Sequence, residues 1–210
     1  MRSIWPIFLE DRVGFLPASK RSWQRKVLAV ALAGLLSAPS SCWLYQQGRG
    51  NFHEVSAGQV YRSRQLNKKE MAYFVRRYHI RSILNLRGAN QGADWYQDEL
   101  SVARRLAVRH YDHGISANHD IDSHVIEHIL SLLRDAPKPI LIHCNFGADR
   151  TGLIAAAYLY AMEGRTFKEA RQQLSVFYGH FPYLWSRTGA MDRSLLRYIR
   201  RQPRQQTPRV

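Results

Sequence analysis

Residues 140–160 read ILIHCNFGADRTGLIAAAYLY, and the order of residue types in that stretch decides how the rest of the chain is read. The apolar run from Ile140 to His143 has the length of a buried strand, while the apolar, alanine-rich run after Arg150 has the composition of a helix. Cys144 to Ala148 is then the loop between them. A loop leading from a strand into a helix turns backbone N–H groups inward, and the positive end of the helix dipole adds to them. In outline the stretch is an oxyanion site.

A cysteine at the start of such a loop is held where its thiolate is favoured, which makes Cys144 the expected nucleophile. Arg150 follows with five residues between, near enough to return across the loop and fork two hydrogen bonds onto a phosphoryl group. Gly147 permits a tight turn, and Gly152 lets the helix pack closely. Thr151 can donate its hydroxyl to the sulfur when sulfur is the leaving group.

Outward from this loop, strand-like and helix-like segments alternate from Asn51 onward. The segment at 67–78 opens with Asn67 and has Glu70 three residues on, a capping-box pattern. Its apolar Met71, Phe74, Val75 and Tyr78 recur at helical spacing. Strands are expected at 81–86 and 108–113. Helices are expected at 94–106, 122–134, 150–162 and 166–177, the last capped by Thr166 and Glu169. This alternation predicts an α/β fold, a mostly parallel central sheet flanked by helices.

The N-terminal region is different in kind. The run VLAVALAGLLSA at 27–38 is apolar without interruption and, extended to Tyr45, reaches 19 residues, within the ~17–25 of a spanning helix. Six Lys/Arg precede it and Arg49 alone follows soon after. The expected organisation is a basic segment at 1–26, an N-terminal hydrophobic helix at 27–45 acting as a membrane anchor, a catalytic domain at 51–195 and a basic, disordered tail at 196–210. The charge asymmetry keeps the N-terminus in the cytoplasm, so the domain faces the periplasm or cell exterior and is anchored, in a bacterium, to the inner membrane.

The formal charge of +15 is concentrated at the ends: residues 51–186 carry 17 Lys/Arg against 13 acids. A dedicated nucleic-acid binder concentrates charge on its folded module, so no nucleic-acid partner is expected. Cys42 and Cys144 cannot form a disulfide scaffold. His79, His110, His113, His124 and His128 lack metal-ligand spacing, so no metal and no cofactor is expected.

HCNFGADRTG, with NFHEVSAGQVYRSRQLN, SILNLRG and QQLSVFYGHFPY, resembles the cysteine-dependent protein tyrosine and dual-specificity phosphatases, in particular a compact bacterial dual-specificity-like group. The resemblance covers roughly residues 51–195 and is most specific in the loop. It implies a monomeric phosphatase acting on phosphotyrosine, phosphoserine or phosphothreonine, or a phosphoinositide or inositol phosphate, through a phosphocysteine. Asn145, Phe146, Gly147, Ala148, Asp149 and Arg150 would bind substrate, and His143 would orient the loop.

The leaving oxygen also needs a proton, and four aspartates could supply it. Asp120, 24 residues before Cys144, is preferred; Asp112, Asp122 and Asp149 remain open. Two rivals share the loop's features: sulfur transfer of the rhodanese type, and a non-catalytic module that reads phosphorylated partners at the membrane. Thr151 and Gly152 directly after Arg150 favour the phosphatase.

Overall fold

A computed structural model describes residues 44–183 and 186–202, with residues 23, 25–30, 34 and 41 before them. The chain divides into two units, Met1–Ser41 and Cys42–Val210. Of the first, residues 25–30 are helical and exposed. Most of the expected anchor at 27–45 lies outside the described residues, and among these no helix is long and apolar enough to cross a membrane.

The second unit is built on five strands, β1 (His53–Ser56), β2 (Val60–Ser63), β3 (Ser82–Asn85), β4 (Arg109–Asp112) and β5 (Ile140–His143), in the order β1-β2-β5-β3-β4. Among the described residues only the β1/β2 pairing is antiparallel, so the sheet is mostly parallel as expected. Because successive side chains point to opposite faces, Val60, Leu84, Ile140 and Ile142 enter one core, and Tyr61, Ile83 and Leu141 enter the other. Both faces are covered, which is why β5 reads as unbroken apolar sequence.

Helices α1 (Lys68–Arg77) and α2 (Asp94–Arg105) close one face; α3 (Ser123–Asp135), α4 (Asp149–Glu163), the short α5 (Phe167–Arg171) and α6 (Gly189–Arg201) close the other. Both capping boxes form: Asn67 accepts from the amides of Lys69 and Glu70, and Thr166 from that of Glu169. Asp122 caps α3 by accepting from the His124 amide at 2.8 Å.

Two expectations are corrected. The helix expected at 166–177 ends at Arg171, and a 3₁₀ turn, Val176–Tyr178, follows. The backbone carbonyl of Gln173 is drawn out of any helical ladder because it accepts from the guanidinium of Arg62 at 2.9 Å. The tail expected from 196 is helical to Arg201: Ala190, Met191, Ser194, Leu195 and Tyr198 form one buried stripe of α6. The residues after Gln202 lie outside the described ones.

Candidate active site

β5 delivers Cys144 to the C-terminal edge of the sheet, where the thiol is free and 2% exposed. From there the loop passes under the N-terminus of α4. Four consecutive loop carbonyls are held by donors outside the loop. Asn145 O accepts from the Gln65 amide at 3.0 Å, and Phe146 O from Asn51 Nδ2 at 2.9 Å. Gly147 O and Ala148 O accept from Arg62 Nη2 at 2.6 and 3.4 Å.

In a trans peptide the carbonyl and the next N–H point in opposite directions. Anchoring these carbonyls outward therefore turns the amides of Phe146, Gly147, Ala148 and Asp149 inward. Ala148, at the N-cap of α4, makes no side-chain cap bond, so first-turn amides are left for an anion. Gly147 has φ +69°, and a Cβ there would meet the backbone of Ser63 at 2.5 Å. No other residue fits.

Arg150 Nη1 donates to Leu86 O at 3.2 Å and Ile115 O at 3.4 Å, which fixes the head of the side chain, while its buried Nε has no protein partner. The buried Thr151 hydroxyl is likewise unpartnered among the described residues. Arg87 stacks on Trp95 at 3.5 Å and lies near enough to Arg150 for repulsion between them to lower its pKa, burial being the larger cause. Phe146 is 54% exposed beside the loop opening.

His143 is anchored from beneath. Glu99 on α2 accepts from, or pairs with, His143 Nε2 at 3.0 Å and His110 Nε2 at 2.7 Å, and its other oxygen accepts from Gln65 Nε2 at 2.7 Å. Burial alone would raise the Glu99 pKa; the two histidines and Gln65 outweigh it and hold the group ionised. Among the described residues no cluster of His, Cys, Asp or Glu is arranged to hold a metal.

The four aspartates are placed differently. Asp112, at the end of β4, accepts from Tyr96 Oη at 2.5 Å and Asn85 Nδ2 at 2.8 Å. Asp122 is spent on the cap. Asp149 Oδ1 binds His180 Nδ1 at 2.7 Å, and His180 Nε2 binds Asp192 Oδ2 at 2.8 Å. Asp120 lies on the β4–α3 loop, bound by Arg193 at 2.7 Å and Arg197 at 2.6 Å from α6; those bonds, Arg193's first, lower its pKa.

The model of the tyrosine phosphatase family matches residues 45–166, more than half of the chain. The chain belongs to that family. The inositol diphosphatase SIW14 of Saccharomyces cerevisiae is 32% identical over 109 residues, 50% of this chain and 37% of its own length, so the chain spans little more than a third of that relative. The solved catalytic core of the S. cerevisiae PP-IP phosphatase SIW14, in complex with citrate, is similar at 26% identity and TM-score 0.55 over 68% of this chain and 83% of that one. TpbA of P. aeruginosa in complex with phosphotyrosine shares the fold at 21% identity and TM-score 0.51, covering 71% of this chain and 91% of that one.

The Asp149–His180–Asp192 chain ties the first residue of α4 to α6. Burial lowers the His180 pKa, but the bonds to Asp149 and Asp192 together outweigh it and raise it from 6.5 to about 9. A folded-state pKa above the unfolded one means that the stabilisation is complete below pH 6.5 and lost as pH rises through about 9. The stability difference between the wild type and His180→Gln is therefore expected to shrink across that window, by at most about 3 kcal/mol. Urea midpoints at pH 6, 7.5 and 9 test it; a constant difference would mean that His180 is not charged.

Proposed function

We propose that the protein hydrolyses phosphomonoesters by transferring the phosphoryl group to Cys144. The observation that carries this reading is the set of four loop carbonyls tied outward, which aims the intervening amides at the space over the sulfur. The thiolate attacks phosphorus in line, forming the P–S bond as the P–O bond breaks, and the leaving oxygen takes a proton from an aspartic acid. Water then attacks the phosphocysteine, its proton returns to the carboxylate, and phosphate and thiolate are released. Inward amides and Arg150 meet the charge on the equatorial oxygens throughout.

Asp120 is the acid we favour. The bonds of Asp112 and Asp149 are partly buried, whereas Asp120 is held on the surface by arginines, and exposed ion pairs contribute only about 0–1 kcal/mol. Releasing it costs least, and release also lifts the lowered pKa that keeps it from carrying a proton. Asp120→Asn is expected to slow an alkyl phosphate about 10²-fold or more and para-nitrophenyl phosphate much less, since a good leaving group needs little protonation. Equal losses would pass the role to Asp112 or Asp149, examined by the same pair of substrates.

The names of the relatives suggest two members of the assay panel, phosphotyrosine and an inositol diphosphate; phosphoserine and phosphothreonine peptides, phosphoinositides and inositol phosphates complete it. Acid quenching during turnover of a ³²P-labelled ester is expected to leave label on Cys144. Phosphate binding without label on the cysteine would instead make the protein a reader of phosphorylated partners.

A further inference from the structure

Arg62, on β2, is the largest charged side chain in the core and is 0% exposed. Every acceptor it reaches is a neutral oxygen: Gly147 O and Ala148 O through Nη2, and Gln173 O and Gln173 Oε1, at 2.9 and 2.7 Å, through Nη1. Its face lies 3.8 Å from the centre of the Tyr178 ring. Among the described residues no carboxylate comes within ion-pair distance of it. A buried cation left without a counter-charge is strongly destabilising, so its retention needs an anion nearby.

We propose that Arg62 is the fixed counter-charge of the phosphate site, a positioning residue that holds the loop by two of its carbonyls and whose anionic partner is the Cys144 thiolate or the oxyanion above it. The two carbonyls it holds belong to the peptides whose N–H groups are those of Ala148 and Asp149, so the charge acts on the cradle from behind while the amides act from within. Arg150 approaches from the substrate side. The site thus has a braced phosphate clamp in front and a fully buried cation at its back.

The neighbours are consistent with this placement. Burial lowers the Arg62 pKa to about 10, which leaves it charged at neutral pH, and the groups that oppose that fall are Tyr178, Cys144 and Asp149. On the other side His53 of β1 faces it, and burial first and Arg62 second lower the His53 pKa to about 4, so that ring adds no charge at neutral pH. Asp149 is already engaged by His180. Of these groups, Cys144 is the one that begins the loop whose carbonyls Arg62 holds.

This inference rests on the loop being the oxyanion site, and its test does not require turnover. Two quantities are measured at pH 7 on the full chain: the alkylation rate of Cys144 by iodoacetamide, and the binding of inorganic phosphate to the loop by protection against that alkylation. Arg62→Met removes the charge and is expected to lower both by about tenfold or more. Arg62→Lys keeps a charge but loses the fork and the stack on Tyr178, so it is expected to fall between the two, retaining at least about threefold more than Arg62→Met on both.

Gln173→Leu removes one side-chain acceptor and leaves the cation in place; it is expected to behave as the wild type. If Arg62→Lys loses as much as Arg62→Met, if Gln173→Leu slows alkylation tenfold, or if Arg62→Met leaves it unchanged, the proposal is overturned. Should Arg62→Met fail to fold, Arg62→Gln, which also removes the charge but keeps a polar donor for the loop carbonyls, takes its place in the comparison with Arg62→Lys. A wild type that is protected by phosphate but hydrolyses no ester would defeat the proposed function and leave this assignment standing.

Discussion

Cys144→Ser is expected to lose phosphatase turnover by on the order of 10⁴-fold or more, the scale on which removal of a covalent nucleophile acts. Serine is nearly isosteric, but its hydroxyl has no accessible anion at neutral pH, and no inward amide or helix dipole can make one. The hydrogen bonds that shape the loop do not run through sulfur: its carbonyls are held by Gln65, Asn51 and Arg62, and a bound phosphate supplies the negative charge that the serine lacks. Thermal unfolding should therefore stay cooperative, and the variant should still bind inorganic phosphate. Turnover above about one per cent of the wild type, measured on para-nitrophenyl phosphate after exclusion of revertants, would remove Cys144 from the mechanism.

Arg150→Lys is expected to cost about 10²–10³-fold in kcat/KM, the range for losing a preorganised donor to a developing oxyanion. The structure explains why the loss is geometric rather than electrostatic. Nη1 is braced on Leu86 O and Ile115 O, leaving the unpartnered Nε to share in a planar fork. Lysine keeps the charge but can only offer a point donor on a flexible stem. The brace on Ile115, on the same loop as Asp120, also predicts that the loss is shared between kcat and KM. A fall of less than tenfold on both an aryl and an alkyl phosphate would show that the amides alone hold the phosphoryl group.

The order of residue types in ILIHCNFGADRTG was enough to place strand, loop and helix, and the roles proposed for Cys144, Arg150 and Thr151 are read from the same stretch, because each is local. The sulfur needs only the loop it begins, and the arginine needs only a return of a few residues. The capping boxes at Asn67 and Thr166 were legible for the same reason: a side chain closing on an amide two or three residues away leaves its signature in spacing.

What holds the loop in shape was not legible. Asn51 and Arg62 reach Phe146 and Gly147 across 95 and 85 residues, and Glu99 reaches His143 across 44. None of these carries a local pattern, since an asparagine before a strand or an arginine within one reads as an ordinary polar residue until the sheet sets β2 beside β5. α6 was missed because its arginines masked an apolar stripe that becomes a stripe only once α3 and α4 offer it a surface. Sequence determined the strand, the loop and the helix that follows it, and the chemistry proposed for the site rests on spacing within that one loop. The direction in which that loop's dipoles point was decided only by tertiary structure, because a carbonyl is turned outward by a donor that the fold must first bring to it.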